Sequence, residues 1–204
     1  MVTRPTLILR LLPLLALMVL GGCSTAWQSH YRGVAPGVHP PTPAAQPVTI
    51  REVPWSRLDA TLRSIEERRA ASDIHPDEWT DDQRAEERTD LLRGLQISES
   101  PDDILVLGRS VFRSTDHLRP DDGSLERFAR SIGADFAVWS ANHLGTRRVT
   151  RQQPVHETGF QSRRYTDSDG RRRTTYEPWD RTVFVPVSVD ADEYAWVVYF
   201  LRRR

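Results

Sequence analysis

The sequence predicts an α+β fold: a small mixed β-sheet carrying one packed helix in a β-α-β unit, preceded by a helical hairpin and a disordered tether. Three observations predict it. Ile104-Leu105-Val106-Leu107 and Phe136-Ala137-Val138-Trp139-Ser140-Ala141 are short apolar runs without alternation, the pattern of strands buried on both faces. Between them, Leu125, Phe128, Ala129 and Ile132 form one helical stripe that stops at Gly133. Tyr194 to Leu201 is a third apolar run, suited to a central strand.

Taken in order, the chain opens on a processing segment. Residues 1–10 carry Arg4 and Arg10 and no acid, and an apolar run from Leu11 to Leu20 follows. This is the grammar of a secretory signal over residues 1–22. The run is shorter than the ~20 residues a transmembrane helix needs. It ends in Leu20-Gly21-Gly22-Cys23, which contains the chain's one cysteine. These four residues resemble the lipobox of bacterial lipoprotein precursors. The resemblance implies that Cys23 is lipidated and becomes the mature N-terminus. It also implies a membrane partner through the lipid, and Ser24 resembles the pattern of outer-membrane lipoproteins that face the periplasm. With Cys23 acylated no disulfide forms, so the fold rests on its own core.

Residues 23–54 read as the lipidated cysteine and a Pro-rich tether. Gly33 to Pro43 holds four prolines and two glycines, a composition that favours extended chain over packed structure. Trp27, Tyr31 and Val48-Thr49-Ile50 leave open an ordered arm on the domain.

Residues 55–97 read as a helical hairpin. Trp55, Leu58, Leu62 and Ile65 share a helical face, with Ser56 as the expected cap. Pro76 breaks the run, and Thr80-Asp81-Asp82-Gln83 has the form of a capping box for a second helix ending near Leu95. Residues 55–103 hold 14 acids against seven arginines. A docking face for a basic partner and a solvated face of Glu–Arg pairs both fit that imbalance.

Residues 98–204 read as the sheet domain. After the β-α-β unit, residues 144–181 turn polar, with nine arginines against five acids and with Phe160, Tyr165, Tyr176 and Trp179 interleaved. Asp169-Gly170 marks a hairpin turn between Arg-rich arms. Val183, Val185, Val187 and Val189 alternate as in a half-buried strand, which Pro186 places at an edge or a bulge. Asp190-Ala191-Asp192 reads as a further turn before the last strand. The order of signals in 103–201, from Gly108, Ser110 and Phe112 through Gly133-Ala134-Asp135 to Pro186 and the final aromatic strand, resembles that of small bacterial envelope proteins. The resemblance brings no catalytic residue.

Composition excludes the usual nucleic-acid signal. The whole chain has 28 basic and 28 acidic residues, and every basic one is Arg. Guanidinium groups stay charged and grip carboxylate or phosphate with a fork. Arg163, Arg164, Arg171, Arg172 and Arg173, with Tyr165 and Tyr176, are therefore the expected binding residues, and an anionic envelope component or a protein the expected partner. No cofactor is expected. The six histidines offer no i, i+4 metal pair, and Asp167-Ser168-Asp169-Gly170 lacks the spacing of a calcium loop. A non-catalytic binding or structural role in the envelope is the first expectation. The rival is an envelope hydrolase using Ser110, His143 and the acids at 121–122. Against it, Gly108-Arg109-Ser110-Val111-Phe112 lacks the last glycine of a nucleophile elbow.

Overall fold

The structure, a computed structural model, describes residues 25–34, 39–43 and 45–204. The expected signal peptide and Cys23 lie outside the described residues. The described residues divide into two compact units: one holds those up to Asn142 with Tyr194–Arg204, the other is His143–Glu193.

The first unit is an α+β fold around a mixed five-stranded sheet. Its strands are β1 (Tyr31–Gly33), β2 (Thr49–Glu52), β3 (Ile104–Ser114), the start of β4 (Phe136–Thr166) and the end of β5 (Arg172–Arg203), in the order β1-β3-β5-β4-β2. β2 runs parallel to β4, and β3 pairs antiparallel with both β1 and β5. The β-α-β unit forms from β3, α4 (Ser124–Ser131) and β4, but β5 lies between its two strands. The crossover therefore spans two strand positions.

β5 explains why its run is apolar on both faces. Trp196, Val198 and Phe200 join one core with Phe128 and Trp27, while Val197, Tyr199 and Leu201 join another with Leu58 and Leu92. Alternate residues of a strand point to opposite faces. The first core lies under α4 and the short α1 (Ala26–Ser29). The second lies under the helical hairpin of α2 (Trp55–Ala70) and α3 (Asp81–Gly94). The hairpin is thus a third layer covering the sheet.

Local signals hold where chemistry is specific. Thr80 and Gln83 form the capping box reciprocally. Gly133 adopts φ +78°, and an added Cβ would sit 2.4 Å from the Pro40 carbonyl oxygen. Asp135 takes a structural place: its carboxylate accepts from Gln46 Nε2 and the Arg203 amide, both at 2.8 Å. α2 begins on Pro54, with no side-chain cap, rather than on Ser56.

Three expectations are corrected. The tether expected over 23–54 does not extend to its described residues, which supply α1, β1 and β2. Trp27 is 1% exposed, and its indole donates to Ser124 Oγ at 3.0 Å. Thr42 is buried, and its hydroxyl donates to the Ala134 carbonyl at 3.0 Å. A few large side chains and backbone ladders outweigh the local preference of the prolines between them. The domain expected at 98–204 accordingly draws in the earlier segments, and residues 143–193 form their own unit. The turn expected at Asp190-Ala191-Asp192 is continuous strand within β5. Its acids have cross-strand partners: Asp190 meets Arg148 at 3.4 Å and Asp192 meets His143 at 3.2 Å.

Candidate functional site

The second unit is a two-stranded ribbon, residues 143–166 of β4 and 172–193 of β5, closed at 167–171. Asp167 builds the closing turn. One carboxylate oxygen accepts the amides of Arg171 at 2.8 Å and Asp169 at 3.1 Å. The other accepts from Arg173 Nε at 2.7 Å. Gly170 supplies the left-handed residue at φ +75°. The Arg171 amide, with the Arg173 guanidinium and the Asp169 amide beside it, holds the Asp167 carboxyl below the usual carboxylate range.

Cross-strand contacts fix the faces. Glu157 pairs with Arg181 at 2.7 Å, and His156 Nδ1 lies 3.2 Å from Thr182 Oγ1. Odd residues therefore share one face with odd residues, and even with even. On the odd face Trp179 lies across Gly159, where a Cβ would come within 2.7 Å of the indole. Arg181 stacks over the same indole at 5.0 Å. Val183, Val185, Val187 and Val189 continue this face, half-buried as the alternation predicts. On the even face Phe160, Tyr176 and Phe184 are 74%, 70% and 66% exposed.

All seven expected binding residues are exposed, but they do not make one patch. Arg164, Arg172 and Tyr176 fall on the even face; Arg163, Tyr165 and Arg173 fall on the odd face, and Arg171 lies in the turn. Arg173 is committed to Asp167. Among the described residues, Arg163, Arg164, Arg171 and Arg172 have no acidic side-chain partner. The exposure of Phe184 was not read from the sequence; its even phase beside four odd valines was the available signal. Pro154, Pro178 and Pro186 are all even. The Asp167 amide donates to the Arg171 carbonyl at 2.9 Å, so odd residues bond inward and even residues face the ribbon's outer edges. The prolines therefore remove donors from those edges, which blunts strand addition.

The groups of the rival reading have other partners. Ser110 is fully buried, and its hydroxyl donates to the Trp27 carbonyl at 2.7 Å. The Asp122 carboxylate accepts the Ser124 amide at 2.7 Å, in the turn that leads into α4. Hydrogen bonds from the Ser124 side chain and then its amide hold that carboxyl below its ordinary range. His143 faces Asp192 within the ribbon. Among the described residues no group of three or more His, Cys, Asp or Glu is placed to hold a metal ion. No helix among them is long and apolar enough to cross a membrane. In comparisons with known proteins, no family model, curated protein or solved structure matches this chain.

Proposed function

We propose that this chain is a lipid-anchored outer-membrane protein facing the periplasm, with a binding or structural role, and that the ribbon end binds an anionic envelope component. Lipid phosphates, a cell-wall polymer or an acidic protein patch would supply that charge. The observation that carries the reading is the set Arg163, Arg164, Arg171 and Arg172, exposed and without acidic partners among the described residues, with exposed Phe160 and Tyr176 on the face that holds Arg164 and Arg172. Guanidinium forks suit phosphate and carboxylate, and the rings add flat apolar contact.

A chain beginning at Ser24 keeps every described element. It should bind anionic envelope fractions and vesicles more tightly than neutral ones, and binding should weaken with salt because screening acts over ~8 Å at physiological ionic strength. Arg171→Gln with Arg172→Gln should weaken it further while leaving the Asp167–Arg173 turn intact. Binding that ignores both salt and these substitutions refutes the role of the ribbon.

A further inference from the structure

The second core does not cover the whole sheet face. A cleft of about 510 Å³ remains between the helical hairpin and β3. Leu62, Ile65 and Leu91 line it from the helices, and Ile104, Val106 and Tyr199 from the sheet. Four arginines and two acids also reach it. Arg69 and Glu87 pair with each other by two hydrogen bonds. That leaves Arg88, Arg109 and Arg204 against Glu66, and none of the three guanidiniums has a carboxylate partner among the described residues. Arg88 Nε is buried with no hydrogen-bond partner in the structure. A buried donor without a partner is costly, and more so when charged. A second, smaller cleft of about 310 Å³ shares Leu62, Glu66, Arg109 and Tyr199 with the first, so the apolar floor continues along the sheet toward Arg32 and Val111.

We infer that this cleft binds a single-chain amphiphilic carboxylate, a fatty acid in chemical class. Its size falls within the ~300–1,000 Å³ range of small-molecule sites. The apolar floor takes the alkyl chain, and each methylene it buries strengthens binding. The carboxylate meets the surplus guanidiniums, with Arg88 Nε supplying a donor that lacks a partner. Charge selects the acid over a neutral alcohol of equal length, and the apolar floor selects it over a short anion. The site lies wholly in the first unit and does not depend on the anchor or the ribbon.

The chain beginning at Ser24 is titrated calorimetrically with dodecanoate, dodecanol and acetate. Dodecanoate should saturate at one per chain, dodecanol should bind at least tenfold more weakly, and acetate should give no heat. Arg88→Met with Arg109→Met should bring dodecanoate to the affinity of dodecanol. Leu91→Trp, which fills the cleft, should remove binding. Amide spectra of the wild-type chain supply a readout independent of variant folding: dodecanoate should move Ile104, Val106 and Tyr199. No saturation, equal affinity for acid and alcohol, or shifts confined to other residues would overturn the assignment.

Discussion

At the scale of single residues, Asp167 shows how one carboxylate can organise a charged loop. It gathers two amides and one guanidinium, while the neighbouring arginines stay outward. Its pKa is lowered in the folded chain, so the clasp is present above the unfolded carboxylate value of ~3.9 and is lost as pH falls through the lower folded value. The Asp169 and Arg171 amide shifts should therefore hold steady from neutral pH down to about 4 and change only below it. Asp167→Asn should remove that acid transition. A midpoint above the ordinary carboxylate value would show that the carboxylate does not clasp the turn. The turn itself was legible, because Asp-Gly between Thr- and Arg-rich arms is a strong local signal. The division of the arginines between two faces was not, since it depends on cross-strand register.

At the scale of elements, legibility followed length and periodicity. The strands of the β-α-β unit and α4 were readable because each carries enough apolar residues to show its phase. β1 and β2 have three and four residues, too few to show any period, and prolines separate them. Their pairing energy comes from partners more than 70 residues away: Tyr31 meets Ser110, and Thr49 meets Phe136. Gly108 records the same long-range fit, since a Cβ there would lie 2.4 Å from the Arg32 carbonyl oxygen. α4 gives the test of this packing. Phe128 is 9% exposed and meets Tyr31 and Phe200 edge-on, at 5.4 and 5.2 Å between ring centroids. Truncating such a buried ring typically costs about 3–5 kcal/mol. Phe128→Ala should lower the unfolding free energy by that much, read as a lower urea midpoint at an unchanged slope. A change under about 1 kcal/mol would mean that α4 does not depend on this ring, since 3–5 is the ordinary cost of a buried Phe.

At the scale of the whole molecule, the ordered N-terminal arm changes how the proposed anchor would work. A free tether over 23–54 would hold the fold nanometres from a bilayer. The described residues instead start at Thr25, whose hydroxyl accepts the Gln28 amide at 3.4 Å and caps α1. Trp27 is already in the core. Four Cα steps separate Cys23 from Trp27, each about 3.8 Å at most, so the reach is roughly 15 Å. A lipid on Cys23 would then seat the first unit at the headgroup surface, with α1 and its partner Ser124 nearest the anchor. The lipidated chain on vesicles with nitroxide headgroups should lose amide signal most around 25–31 and Ser124. Inserting twenty Gly-Ser residues after Ser24 should restore those signals, because a flexible linker of that length spans about 25 Å on average. Uniform loss that ignores the insertion would refute close seating. Failure of the wild-type chain to join vesicles would instead refute the anchor itself, and Cys23→Ala provides the reference for that outcome.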